Sequence, residues 1–205
     1  HINFVPSMLN AFLEFVTDDN IHALSSLQYI FSGGEAIIPE IVNRFNRLNT
    51  RVKLENMYGP TEATVYGSRY SLSQWNGEGD IPIGIPLQNY SLYVLDRNRN
   101  AQPLGLTGDL FMSGVGVARG YINRPGLTAE KFTPDPFNPG QYMYDTGDKA
   151  RWRADGILEY LGRKDQQIKI RGFRIELGDI ESQLLTHDGI SEAVVLLRKD
   201  RGSDT

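Results

Sequence analysis

Asn56-Met57-Tyr58-Gly59-Pro60-Thr61-Glu62 is the stretch whose reading decides the fold. It places an amide, a phenol ring, a Gly-Pro turn, a hydroxyl and a carboxylate side by side. Val52 and Leu54 lead into it, so it reads as a strand that ends in a turn. Gly59 permits φ > 0 or a close approach of another group, and Pro60 fixes its own φ. The turn would present Tyr58, Thr61 and Glu62 at the C-terminal end of the strand, where open α/β sheets bind ligands. A flat ring can stack on a base, a hydroxyl can bond a phosphate oxygen, and a carboxylate can hold Mg²⁺. Such a set would form one wall of a nucleoside triphosphate site. The plain structural alternative is a strand-to-helix turn with a Thr cap.

The residues upstream support the strand. Ile2 to Val5 read as a short buried strand, and Pro6-Ser7 opens a helix. Met8, Leu9, Phe12, Leu13 and Val16 recur at helical spacing until the pattern fades at Asp18-Asp19-Asn20. Leu27 to Phe31 read as a second strand running into a Ser32-Gly33-Gly34-Glu35 turn. Pro39 suits the first turn of a helix with Ile41, Val42, Phe45 and Leu48 on its apolar face. Arg51 to Met57 form the third strand. Strand, helix, strand in this order predicts a parallel sheet.

Downstream the pattern changes. Tyr70 to Asp148 is rich in Gly and Pro, with short strand-like runs such as Ser91 to Leu95 and Gly108 to Met112. It reads as an antiparallel, barrel-like subdomain continued by Tyr142 to Arg153. Gly156 to Gly162 looks like one more strand of the main body. Arg163-Lys164-Asp165-Gln166 reads as a charged linker. Beyond it come Ile168 to Arg171 and Phe173 to Ile175 as strands flanking Gly172. A helix from about Leu177 to Leu185 follows, with Leu177, Ile180 and Leu184 inward, then a strongly apolar strand over Ala193 to Leu197. The expected division is 1–69 for the βαβ part, 70–164 for the β-rich subdomain and the end of the core, and 165–205 for a small, incomplete C-terminal subdomain.

Composition narrows the function classes. The 205 residues are 40% hydrophobic and 22% charged, as in an ordinary soluble globular protein. A net charge of −4 gives no reason to expect nucleic acid. With no cysteine, disulfides, thiolate metal sites and thiol catalysis are excluded. His1, His22 and His187 are far apart in sequence and predict no transition-metal site. No run approaches a membrane span and no signal-peptide layout is visible, which points to a cytoplasmic protein. The first residues enter an apolar run without Met and the last break off in the polar stretch 200–205, the pattern expected of a piece of a longer chain.

Other motifs divide into structural and chemical readings. Gly114-Val115-Gly116-Val117-Ala118-Arg119-Gly120 misses the G-x-G-x-x-G dinucleotide spacing by one residue and lies in a β pattern, so its glycines are assigned to tight turns. Tyr144-Asp145-Thr146-Gly147-Asp148 offers carboxylates that could accept from ribose hydroxyls. Its plain alternative is an Asx-type turn closing a hairpin. Arg163 could supply a cation to ribose or phosphate. No Walker-type G-x₄-G-K-[ST] loop is present, so groups for the outer phosphates would lie elsewhere.

Four motifs then occur in a fixed order: Asn56 to Glu62, Leu110 to Phe132 (ending GVGVARGYINRPGLTAEKF), Tyr144 to Asp148, and Gly162 to Glu181 (GRKDQQIKIRGFRIELGDIE). Together they resemble the adenylation domains of non-ribosomal peptide synthetases, within the adenylate-forming, AMP-binding superfamily. The resemblance implies an α/β fold: the C-terminal part of a large subdomain, then the start of a small mobile α+β subdomain. It implies that an amino-acid carboxylate attacks the α-phosphate of ATP, giving aminoacyl-AMP and releasing pyrophosphate, with Mg²⁺ as cofactor. The acyl group would then pass to the phosphopantetheine thiol of a carrier domain, with a condensation domain of the same synthetase as a further partner.

Carried over position by position, the resemblance places Tyr58 on the adenine, with Gly34, Glu35 and Asn56 near the base. Thr61 would touch the α-phosphate and Glu62 would hold Mg²⁺, these two being the catalytic assignments. Asp148 would bind the ribose with Arg163 nearby, Asp165 would be the hinge, and Gly172 would line the pantetheine tunnel. The pocket positions are Asn3, Phe31, Gly33, Met57, Val65 and Tyr66. They resemble a threonine-type pocket in part, from which Phe31 and Tyr66 depart. The family's phosphate loop, its amine-gripping Asp and its catalytic Lys have no counterpart here, so the 205 residues alone are expected to show little activity. Two alternatives stand beside this reading: a non-catalytic nucleotide- or partner-binding piece, and an aryl- or acyl-acid ligase of the same superfamily.

Overall fold

The computed structural model describes residues 1–17, 19–165 and 167–198. Asp18, Gln166 of the expected linker and the polar stretch 199–205 lie outside the described residues. The elements in chain order are β1 (Ile2–Phe4), α1 (Pro6–Phe15), β2 (Tyr29–Gly33), α2 (Pro39–Arg47), β3 (Lys53–Tyr58), β4 (Ser68–Ser71), β5 (Ile85–Pro86), β6 (Tyr90–Leu95), β7 (Gly108–Gly114), α3 (Pro125–Lys131), β8 (Phe132–Pro134), β9 (Tyr142–Trp152), β10 (Leu158–Arg163), β11 (Gln167–Ile170), β12 (Phe173–Glu176) and α4 (Leu177–Leu184). Helices α1, α2 and α3 all begin with Pro in the first turn, where its missing N–H costs nothing and its φ is already helical.

The first sheet runs β1-β2-β3-β4-β5. Strands β1, β2 and β3 are parallel, as the strand-helix-strand order requires, and β4 and β5 add on antiparallel. Leu9 and Leu13 of α1 and Ile41, Val42 and Phe45 of α2 pack with Ile30, Leu54 and Tyr70 into one core. The apolar stripe on α1 is narrower than its spacing predicts: Met8 is 59% exposed, because only one helix face meets the sheet. Ser32 and Gly33 continue β2, so the turn before Glu35 starts at Gly34 rather than at Ser32.

The second sheet is antiparallel in the order β10-β9-β7-β6, with β8 paired to β9. Its core gathers Leu92, Val94, Leu110, Met112 and Leu158. The backbone around Gly84 pairs with Leu158, with N–H to O distances of 3.1 and 2.8 Å, and ties the edge of the first sheet to β10. Helix α3 has no counterpart in the sequence reading, which took the surrounding stretch as β.

The hairpin β11–β12 and helix α4 appear as expected, but α4 buries only Leu177. Ile180 and Leu184 are 41% and 40% exposed rather than inward. Ala193 to Leu197 form no strand. An apolar run needs a ladder partner, and among the described residues this one has only the Val195 N–H to Glu181 Oε1 bond of 2.8 Å. Truncating Leu158, fully buried where the two sheets meet, to Ala should lower stability by about 2–5 kcal/mol in urea unfolding of the chain.

Candidate functional site

The sequence of β3 explains how the site is presented. Met57 is buried, Tyr58 ends the strand, and Thr61–Ala63 form a single 3-10 turn with no side-chain cap, so the Thr-cap alternative does not hold. Gly59 is needed for close approach: an added Cβ would lie 2.6 Å from Val65 O, where the chain folds back. That return places Gly67 N–H on Tyr58 O at 2.9 Å. Thr64 and Val65 take positive φ (55° and 73°), a strained choice for β-branched residues.

Asp148 is the centre of one half of the site. It lies in β9 at an irregularity where Asp109 pairs with Lys149 but Phe111 pairs with Asp145. The Asx-type bond is present, Gly147 N–H to Asp145 Oδ1 at 3.0 Å, yet it sits inside a bulge of a long strand instead of closing a hairpin. The Tyr58 hydroxyl donates to Asp148 Oδ2. Arg163 donates to Asp148 Oδ1 at 3.0 Å and to Thr146 O at 3.1 Å. The same guanidinium makes a two-pronged pair with Asp165, both bonds 2.6 Å. Burial pushes the Asp148 carboxyl up, and the bonds from Tyr58 and Arg163 offset this only in part. Burial also raises the Tyr58 phenol well above its usual value, with the Asp148 charge adding to it. Tyr160, tilted against Tyr58 at 6.3 Å, is pushed up to about 12 by burial and then by Asp148.

Glu62 is the centre of the other half. Its Oε1 accepts from the Tyr121 hydroxyl at 2.8 Å and from Arg174 of β12 at 2.7 Å. Its Oε2 is buried without a hydrogen-bond partner. Burial works to raise this carboxyl, but Tyr121 and Arg174 outweigh it and hold it below the usual range. An orphaned carboxylate oxygen fits a hard cation, and Mg²⁺ is commonly held by one or two carboxylates plus substrate phosphates. No cluster of three or more His, Cys, Asp or Glu side chains fit for a metal occurs among the described residues.

Asn56 is buried and donates to Pro82 O at 2.8 Å, so its amide holds the 82–84 loop. Glu35 accepts from Gly172 N–H at 2.6 Å and from Ser7 N–H at 3.3 Å, which joins β11–β12 to the start of α1. Gly172 has φ 80°, and an added Cβ would stand 3.0 Å from Val5 Cγ1. Thr61 and Val65 are exposed. Strand register puts Asn3 beside Phe31 and Gly33 beside Met57, so these four share one sheet face. Tyr66 donates to Asn3 Oδ1 at 2.8 Å at a solvent-exposed position, and Gly33 leaves room for its ring.

Tyr121, Arg174 and Glu55 were not singled out by the sequence. Glu55, 3% exposed on the face of Phe31, accepts from Ser71 at 2.9 Å, and Arg69 stands 3.9 Å away. Strand alternation could have placed Glu55 on that face. No local signal reports a partner 59 residues away, as for Glu62 and Tyr121.

A family model described as "AMP-binding enzyme" matches residues 1–122. The chain belongs to that family. It is 48% identical over 200 residues to a linear gramicidin synthase of Brevibacillus parabrevis, covering 98% of this chain and 4% of that protein. It is also 48% identical over 202 residues to a plipastatin synthase of Bacillus subtilis (strain 168), covering 98% of this chain and 6% of that protein. Among solved structures it resembles holo-PA1221, a non-ribosomal peptide synthetase protein containing adenylation and carrier (PCP) domains. There the TM-score is 0.85 at 29% identity, over 96% of this chain and 34% of that one. The family, and its likeness to peptide-synthetase adenylation domains, is thus the one the four motifs implied. The chain spans only a small fraction of the relatives it matches. No helix among the described residues is long and apolar enough to cross a membrane.

Two outcomes test the geometry. Gly147 has φ 75°, and a Cβ there would stand 2.5 Å from Arg163 Nη2. Gly147→Ala should displace Arg163 from Asp148 and lower thermal stability by about 1 kcal/mol or more, read by calorimetry. The Arg163 pair holds the Asp165 carboxyl below its usual range. Its contribution is complete above the unfolded value, about 3.9, and is lost as pH falls through the lower folded value. The urea midpoint gap between the natural chain and Asp165→Asn should be widest at neutral pH and close in acid.

Proposed function

We propose that this chain supplies one wall of an ATP site in an amino-acid-activating adenylation domain of a non-ribosomal peptide synthetase. The observation that carries the reading is the joining of Tyr58, Asp148 and Arg163 beside the Thr61-Glu62 turn. Tyr58 would stack on adenine, with Gly34, Glu35 and Asn56 near the base. Asp148, with Arg163 beside it, would take the ribose hydroxyls, and Thr61 would address the α-phosphate. Glu62 would hold Mg²⁺, which would supply charge neutralisation at the α-phosphate under attack. Asn3, Phe31, Gly33, Met57, Val65 and Tyr66 would line the side-chain pocket for a small polar amino acid. Asp165 would act as the hinge and Gly172 would line the thiol path. A carrier domain with its phosphopantetheine and a condensation domain would be the partners. The sequence carries no Walker-type loop for the outer phosphates, so these 205 residues alone should support little exchange.

The test is pyrophosphate exchange by the complete parent protein with a panel of amino, hydroxy, aryl and fatty acids. Amino-acid-dependent exchange, lowered at least about a hundredfold by Asp148→Ala, is the expected result. Exchange only with aryl or fatty acids would favour an acyl-acid ligase. No exchange with any acid, alongside nucleotide binding, would favour a non-catalytic binding role.

A further inference from the structure

The glycine-containing loop 114–121 has no assigned part in the proposed ATP wall, yet it grips the catalytic turn closely. Ala118 N–H donates to Glu62 O at 2.8 Å. Thr64 Oγ1 donates to Gly116 O at 2.7 Å, and the Tyr90 hydroxyl donates to Ala63 O at 2.9 Å. Gly116 cannot carry a side chain, because a Cβ would fall 1.6 Å from the Tyr90 hydroxyl. At the end of the loop Tyr121 donates to Glu62 Oε1 at 2.8 Å. Tyr121 is itself held, its N–H on Thr128 Oγ1 at 2.9 Å and its ring edge-on to Phe132 at 5.4 Å.

We propose that Tyr121 is a positioning residue for the Glu62 carboxylate, and that the 114–121 loop clamps the 61–64 turn so that Oε2 faces the metal. The inference rests on Glu62 being the metal-facing carboxylate. Tyr121 and Arg174 both bond Oε1, but they differ physically. Arg174 neutralises the carboxylate and belongs to the hairpin beyond Asp165. Tyr121 orients it with a neutral donor and lies on the chain segment that encloses the turn. Tyr121 itself therefore adds no countercharge and leaves Oε2 free.

The experiment uses the complete adenylation domain of the parent protein. Binding of a non-hydrolysable ATP analogue is followed by calorimetry across a Mg²⁺ titration, with Mn²⁺ resonance as a second readout. Tyr121→Phe should raise the half-saturating Mg²⁺ about tenfold, the scale for loss of an outer partner of a metal ligand, and leave metal-free analogue affinity unchanged. Thr64→Val, which frees the loop at Gly116 without touching Tyr121, should move it the same way by less and serves if Tyr121→Phe does not fold. A normal metal requirement in both variants, while Glu62→Gln shifts it, overturns the proposal alone. A normal requirement in Glu62→Gln overturns the reading of Glu62 and the proposal with it.

Discussion

The Asp148 carboxylate is the constraint on which the rest of this arrangement depends. A buried charge is tolerated only when paired and hydrogen-bonded. Here the partners come from two places, Tyr58 at the end of β3 and Arg163 at the end of β10, while Thr146 Oγ1 holds the Asp148 backbone N–H at 3.1 Å. Satisfying one carboxylate therefore joins the first sheet to the second. The bulge at Gly147 is part of the same solution, since a Cβ there would occupy the space of the guanidinium. Arg163 then reaches Asp165, so the pairing that closes the site also fixes the chain just before the C-terminal hairpin.

Glu62 shows the opposite economy. It is 8% exposed, and one of its oxygens has no hydrogen-bond partner, which costs free energy unless something fills the place. The hairpin meets both acidic residues of the two turns, Gly172 on Glu35 and Arg174 on Glu62. Its docking and the exposure of those carboxylates are thus linked.

Much of the fold was legible in local pattern. Helical spacing marked α1 and α2, and strand-helix-strand order led to the parallel β1-β2-β3 ladder. The antiparallel middle followed from its turn-rich composition. The failures share a cause. Met8, Ile180, Leu184 and the run 193–197 are apolar by sequence, yet burial requires a partner surface that the described residues do not place against them. Asp145 to Asp148 read as a turn because Asx chemistry is local, whereas a strand bulge is defined by the register of its neighbours.

The sequence by itself determined the family, the parallel character of the first strands, and the residue types able to meet a base, a sugar and a metal. These depend on motif wording and on periodicity, which are properties of neighbours along the chain. Only the tertiary structure decided which oxygen of Glu62 is taken and which is free, and that Tyr58 and Arg163 share Asp148. It also decided that the loop 114–121 encloses the turn 61–64. Hydrogen bonds between residues many positions apart are set by sheet register and loop closure, and no short stretch of sequence encodes either.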